Sequence, residues 1–348
     1  MIRVSIVGAS GYVGEGLIRA VLGHPECKLS LLVSEHSAGK NIGDVLPPLR
    51  NELDMVTVNA SPEEIAEKSD VVFTARKGAE TFAVAPRLLK AGVKVIDLGG
   101  EFRLTDTAVY EQWYKESHLC KDLQAEAVYG LPELFKERIK TARLVGNPGC
   151  YVTSALLALA PLLAADLIEP DGIIIDSYSG LSGAGRQYKP DVGNLFVDID
   201  GNMRAYGVGK HRHIPEIEQV LSHVAEKPIT VTFVPHLVPF ERGILTTAFA
   251  RPKRGATTEK ALQATRAFYK ERVAPFVRVL DRVEDVTVTN TVRSNYCDIS
   301  MQVVERSNQM VIASSLDNLV KGAAGQALQN LNLMCGFEET MGLKGRSL

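Results

Sequence analysis

One cysteine stands where a thiol can do chemistry. In Gly146-Asn147-Pro148-Gly149-Cys150-Tyr151-Val152-Thr153 a run of turn-forming residues leads straight into an apolar stretch, so Cys150 falls where a loop enters a helix. The start of a helix carries partial positive charge and free N–H groups, which favour a thiolate and stabilise an oxyanion formed beside it. A nucleophilic thiol also needs a base. His211-Arg212-His213-Ile214-Pro215-Glu216-Ile217 sets two histidines immediately before an expected helix whose first residue is Pro215. In an extended approach, residues two apart point to the same side, so His211 and His213 reach one pocket. Glu216 is close enough in sequence to orient one imidazole or raise its pKa. The remaining cysteines, Cys27, Cys120, Cys297 and Cys335, read as inert thiols, and no C-x-x-C pair marks a zinc site, so no metal is expected.

A second chemical signal opens the chain. Gly8, Gly11 and Gly14 follow the apolar run Ile2 to Val7, with Ser10, Tyr12 and Val13 between them, and a helix is expected from Gly16 to Leu22. The first glycine permits a tight turn, and the others let backbone amides and the helix approach a pyrophosphate. The spacing is G-x-x-G-x-x-G, and the flanking strand and helix give it the context of a dinucleotide loop. The next strand, Leu29 to Val33, ends in Ser34, followed by Glu35, His36, Ser37 and Lys40. Ser34, Ser37 and Lys40 suit a ribose 2′-phosphate if Glu35 points away, which favours NADPH/NADP+ over NAD.

Positioning these groups requires two architectures. Strands at 70–75 and 94–98 alternate with helices at 62–67 and 81–91, the pattern of a parallel sheet covered on both faces. After Cys150 a helix is expected over Thr153 to Ala164. Strands then follow at 172–177, 229–234, 245–250, 286–291, 297–304 and 310–315 with few helices between them. The fold class is therefore α/β: a Rossmann-type parallel-sheet nucleotide-binding domain plus an α+β domain with a large mixed sheet. A last helix, Asn318 to Leu331, carries Leu319, Ala323, Ala327 and Leu331 as one apolar stripe that must dock.

Composition bounds the partners. With 348 residues, 45% hydrophobic and 23% charged, the chain supports two folded domains instead of a disordered state. The 39 basic and 41 acidic residues leave a net charge of -2, no field for nucleic acid. The longest apolar run, Ala155 to Ala165, contains Pro161 and falls short of the roughly 20 residues that span a bilayer. No leader pattern precedes the glycine loop and the cysteines are odd in number, so the cytoplasm and reduced thiols are expected.

Several stretches together resemble one family. Gly146 to Thr153, Ser179-Gly-Leu-Ser-Gly-Ala-Gly-Arg186, His211 to Ile217, Pro235-His-Leu-Val-Pro239 and Asp317-Asn-Leu-Val-Lys-Gly-Ala-Ala324 are similar to N-acetyl-gamma-glutamyl-phosphate reductases of arginine biosynthesis. The likeness runs from Gly8 to about Asn332. It departs from the family at Thr74-Ala-Arg-Lys-Gly78, where many members carry a Leu-Pro-His-Gly-like turn, and at Ser154, where Gly or Ala is common.

The resemblance implies an NADPH-dependent reductase related in fold to aspartate-semialdehyde and glyceraldehyde-3-phosphate dehydrogenases. Its Rossmann domain would span 1–150 and 317–348, and its catalytic and oligomerisation domain 151–316, in a homodimer or homotetramer. It maps the nucleophile onto Cys150 and the acid/base onto the His211/His213 pair without choosing between them. The implied reaction is thiolate attack on an acyl phosphate, then reduction of the thioester to a semialdehyde. Arg103 and Arg186 suit the phosphate and carboxylate, with Ser179 and Ser182 in the same loop as Arg186. Asn318 resembles the family's returning cofactor-side motif, and Lys321 reads either as part of that motif or as a solvated helix charge. The rival functions are an aspartate-semialdehyde dehydrogenase, a carrier-linked aminoadipyl-phosphate reductase, a cysteine hydrolase and a non-catalytic NADP sensor.

Overall fold

A computed structural model describes residues 1–186 and 199–345. The chain forms two compact units, Met1–Pro148 with the chain from Ala323 onward, and Gly149–Gly322. Cys150 thus falls in the second unit, which begins at Gly149, and the first unit resumes at Ala323.

In the first unit the strands β1 (Ile2–Val7), β2 (Cys27–Val33), β3 (Val71–Thr74), β4 (Lys94–Asp97), β5 (Val128–Tyr129) and β6 (Leu144–Gly146) form one sheet in the order β2-β1-β3-β4-β6-β5. Every pairing is parallel. Helices must therefore cross over and cover both faces, which is why β3 is buried at every residue. The helix Ala79–Lys90 presents Phe82, Ala85, Leu88 and Leu89 at helical spacing to Val72 and Val95. Each large side chain so buried contributes roughly 1.5–3 kcal/mol. Pro86 inside that helix leaves the Phe82 carbonyl without its helical donor, and the Cys120 thiol donates to it at 3.5 Å.

The final helix differs from expectation. It begins with a π-helical turn, Val320–Ala324, and continues as Gly325–Met334, buried at every residue instead of along one stripe. Its polar residues are tolerated because each meets a partner. Asn330 donates to the Gly130 carbonyl at 2.9 Å, Asn332 to the Met341 carbonyl at 2.9 Å, and Gln329 to Glu339 at 2.7 Å.

The second unit holds a seven-stranded mixed sheet. Its strands are β7 (Ile173–Ser179), β8 (Arg204–Ala205), β9 (Val231–Leu237), β10 (Ile244–Ala250), β11 (Val277–Val279), β12 (Cys297–Val304) and β13 (Gln309–Leu316), in the order β11-β12-β13-β10-β7-β9-β8. β7, β9 and β10 alternate buried and less buried residues, as a sheet covered on one face requires. The helix Cys150–Ala164 packs on the buried face against β10, β12 and β13. Ser177, Thr246 and Ser314 stand in one cross-strand row there. Ser154 of the helix meets that row, 2.9 Å from Thr246 and 2.7 Å from Ser314. Pro161 frees the Leu157 carbonyl of the same helix, and the Tyr269 hydroxyl takes it up.

One expected strand is absent. Residues 286–291 alternate like a strand, yet Val288–Thr291 is a short helical turn. The Thr291 hydroxyl donates to the Val288 carbonyl and the Asn290 amide to the Asp285 carbonyl, giving the backbone local partners in place of a ladder. The strand at that edge is instead β11, parallel to β12. Among the described residues no helix is long and apolar enough to cross a membrane.

Candidate active site

Cys150 is the first residue of a helix of 15 residues, three earlier than the sequence expectation, and it is half-buried. Gly149 is the N-cap of this helix and, having no side chain, makes no side-chain cap hydrogen bond. The start of a helix carries partial positive charge, a setting that favours a thiolate.

The neighbouring helix, His213–Ala225, aims two groups at Gly149. Glu216, 1% exposed, accepts the Gly149 N–H at 2.9 Å through Oε1. A Cβ built on Gly149 would lie 2.3 Å from His213 Nε2, so only glycine lets the ring approach this closely. His213 and Glu216 are three residues apart and share one helix face. The two histidines do not enter on an extended segment as expected: His213 is already helical and Arg212 has helical angles. Helical geometry wins because His211 Nδ1 accepts the His213 backbone N–H at 3.2 Å, capping the helix from its own side chain.

That bond separates the two imidazoles. Burial, with the Arg212 charge beside it, pushes His211 down to about 4, so the ring is neutral near pH 7 with its proton on Nε2. Around it stand Tyr206, Phe233 and His213, with ring centroids 5.6, 5.4 and 4.6 Å away. Tyr151 lies 5.9 Å from His211 and 5.8 Å from His213. The Tyr206 hydroxyl donates to Tyr151 Oη at 3.0 Å, and Tyr151 donates to the His236 carbonyl at 3.3 Å. Burial raises both phenols, Tyr206 to about 12, so they act as neutral donors. These aromatic residues escaped the sequence reading, although Tyr151 follows the cysteine directly.

Ser179 ends β7 at 1% exposure and interacts with the Tyr151 hydroxyl. Ser182, in the turn Leu181–Ala184, donates to the Glu241 carbonyl at 2.6 Å and accepts from Asn318 Nδ2 at 3.0 Å. Asn318 also accepts the Gly243 N–H at 2.6 Å, so its amide ties two loops together. Arg186 follows that turn and is half-buried. Lys321 is fully buried, not solvated, with Nζ 5.9 Å from the Phe276 ring centroid.

The remaining expected residues belong to the first unit. Gly8 has φ +93°, and a Cβ there would meet the Ala75 carbonyl oxygen at 2.7 Å. A Cβ on Gly14 would strike the carbonyl oxygens of Gly8 and Ala9 at 2.5 Å. The loop is pinned to β2 by the Gly8 N–H on the Val33 carbonyl at 2.9 Å. Helix Tyr12–Leu22 opens at Tyr12, earlier than expected, and places Val13 and Gly14 in its uncapped first turn. Ser10 and Ser34 hydroxyls lie 3.0 Å apart. Ser37 is buried, and its hydroxyl has no partner among the described residues, while Lys40 is exposed. A glycine-lined helix end with no side-chain cap, where strand order reverses between β2-β1 and β3, fits a dinucleotide. Arg103, 8% exposed, spends Nε on the Asn147 carbonyl at 2.6 Å and Nη2 on the Leu98 carbonyl at 2.9 Å.

Comparison with known proteins agrees with both units. Residues 3–142 match the family described as semialdehyde dehydrogenase, NAD binding domain, and residues 150–318 match semialdehyde dehydrogenase, dimerisation domain. An N-acetyl-gamma-glutamyl-phosphate reductase of Symbiobacterium thermophilum is 50% identical over 343 residues, 98% of this chain and 97% of that one. Its counterpart in Geobacter metallireducens is 48% identical over 349 residues, 100% of this chain and 99% of that one. Among solved structures, aspartate semialdehyde dehydrogenase II from Vibrio cholerae has a TM-score of 0.73 at 20% identity, covering 97% of this chain and 99% of that one. Aspartate semialdehyde dehydrogenase with NADP from Candida albicans has a TM-score of 0.70 at 17% identity, covering 96% and 98%. At such identities the likeness speaks for the fold alone.

Proposed function

Because the chain belongs to the N-acetyl-gamma-glutamyl-phosphate reductase family of semialdehyde dehydrogenases, we propose that it reduces N-acetyl-glutamyl 5-phosphate to N-acetyl-glutamate 5-semialdehyde and phosphate with NADPH, in arginine biosynthesis. The observation that carries the chemistry is Cys150 at a helix start, with His213 and Glu216 converging on the residue before it.

The Cys150 thiolate attacks the acyl carbon; the carbon–sulfur bond forms as the bond to phosphate oxygen breaks, and phosphate leaves with the electron pair. First-turn amides of the Cys150 helix stabilise the tetrahedral oxygen, typically by a few kcal/mol per donor. His213 holds the proton that the leaving phosphate takes up. Glu216 keeps Gly149, and with it the start of the Cys150 helix, in register. Bound NADPH supplies the hydride that brings the thioester carbon to the aldehyde level. Collapse of the resulting oxyanion breaks the carbon–sulfur bond and returns the thiolate. Gly8, Ser10, Gly11, Tyr12, Val13 and Gly14 would hold the pyrophosphate side of the cofactor, Ser34, Ser37 and Lys40 the 2′-phosphate, and Asn318 is a further cofactor contact. Arg103, Arg186, Ser179 and Ser182 are proposed to receive the anionic ends of the substrate.

The working form is proposed to be a homodimer or homotetramer in the cytoplasm. Ile174, Phe249 and Val311 stand in one cross-strand row on the face of the second sheet away from the Cys150 helix, and Ile174 is 42% exposed. A second copy is the proposed cover, since the matching family of this unit is described by dimerisation. Reduced thiols at all five cysteines fit the proposed cytoplasmic setting.

The deciding experiment is phosphate-dependent oxidation of N-acetyl-glutamate semialdehyde, followed at the nicotinamide absorbance with NADP+ and NAD+ in turn and with aspartate semialdehyde as competitor. We expect turnover with NADP+ and loss of about a thousandfold or more in Cys150→Ser. Preference for aspartate semialdehyde, or a Cys150→Ser protein at normal rate, refutes the proposal.

A further inference from the structure

We propose that the turn from Asp317 to Gly322 is a positioning element for Cys150, in which Gly322 forms the wall against the nucleophile's backbone and the Asp317 carboxylate holds that wall in place. A Cβ built on Gly322 would lie 2.8 Å from Cys150 Cβ and 3.2 Å from its Cα, with the Asp317 carbonyl oxygen at 3.3 Å. No left-handed backbone angle demands glycine there, so the requirement is one of space. The first residue of the Cys150 helix therefore cannot settle toward this turn, and the turn cannot carry a side chain without displacing it.

The wall is rigid for identifiable reasons. Asp317 is fully buried, and its Oδ1 accepts the N–H groups of Leu319 at 2.7 Å and Val320 at 3.1 Å. Its Oδ2 accepts the Arg293 N–H at 2.6 Å, and its carbonyl accepts the Gly322 N–H at 2.9 Å. The Arg242 guanidinium stands 3.8 Å from the same carboxylate. A carboxylate holding three backbone donors resists displacement. The segment continues as the π turn Val320–Ala324, a geometry that persists only where its surroundings impose it and that recurs at functional sites. Lys321, beside Gly322, is locked in the core over Phe276. None of these residues enters the reaction steps above; they act through the cysteine.

This inference rests on Cys150 as nucleophile, so its test is chosen to separate the two. The measurement is the rate of Cys150 alkylation by iodoacetamide against pH, followed by peptide mass spectrometry, alongside kcat and KM. Gly322→Ala is expected to shift the helix start by a few tenths of an ångström, lowering kcat by about tenfold with KM changed less than about threefold. The alkylation midpoint should move to higher pH as the sulfur leaves its place at the helix end. A folded Gly322→Ala protein with the wild-type alkylation profile and kcat overturns the proposal. Where that variant does not fold, amide hydrogen exchange of the wild-type chain serves: carbamidomethylation of Cys150 is expected to change protection at Leu319 to Gly322, and unchanged protection there overturns it. Normal turnover in Cys150→Ser would refute the nucleophile, while the alkylation profile reads the positioning of the sulfur without any turnover.

Discussion

At Gly149 two requirements meet in one small residue: its N–H binds Glu216, and its missing side chain admits the His213 ring. The same geometry divides the labour of the histidines. His211 is half-buried, neutral near pH 7 and committed through Nδ1 to capping the helix, which is why the proposed proton transfer is assigned to His213. His213→Asn is expected to lower kcat by about a hundredfold or more and to abolish the acid limb of the pH–rate profile. His211→Asn keeps a capping acceptor and should retain that limb at its wild-type pH. Loss of the limb in His211→Asn would reverse the assignment. Since the folded His211 lies near 4 and an unfolded one near 6.5, its contribution to stability is full above about pH 6.5 and falls as pH drops toward 4.

At the scale of elements, the end of β4 and the loop after it carry a buried acidic pair. Asp97 accepts the Thr74 hydroxyl at 2.8 Å and the amides of Gly99 and Gly100 at 3.1 Å each. Glu101, 1% exposed, accepts the Gly78 N–H at 2.6 Å. Burial, then the Asp97 charge, pushes Glu101 up to about 8, with Arg103 opposing. A carboxyl raised in the folded state adds stability below its unfolded value of about 4.5 and loses it as pH rises through 8. Wild-type melting temperature should therefore decline between about pH 4.5 and pH 8, and Glu101→Gln, which keeps an acceptor for Gly78, should flatten that decline. An equal slope in both proteins would show that Glu101 carries no such linkage.

For the whole molecule, the proposed assembly predicts that light scattering finds two or four copies of the 37.8 kDa chain, and that Ile174→Asp with Phe249→Asp shifts it to one. A wild-type monomer at micromolar concentration would leave that sheet face without its proposed cover. Much of the molecule was legible in the amino-acid order. The parallel-sheet repeat, the glycine loop with its strand and helix, and the cysteine at a helix start all follow from neighbours in the chain, whose sterics and periodicity are local. The misread strand at 286–291 shows the limit of periodicity, because side-chain hydroxyls and amides supplied local partners that alternation does not register. Only the tertiary structure brought Glu216 to the Gly149 amide, Gly322 to Cys150 and Asn318 to the Gly243 loop, all remote in sequence. It also decided that His211 is neutral and that Lys321 is buried, since desolvation depends on what the folded chain packs around a group and not on the residues beside it.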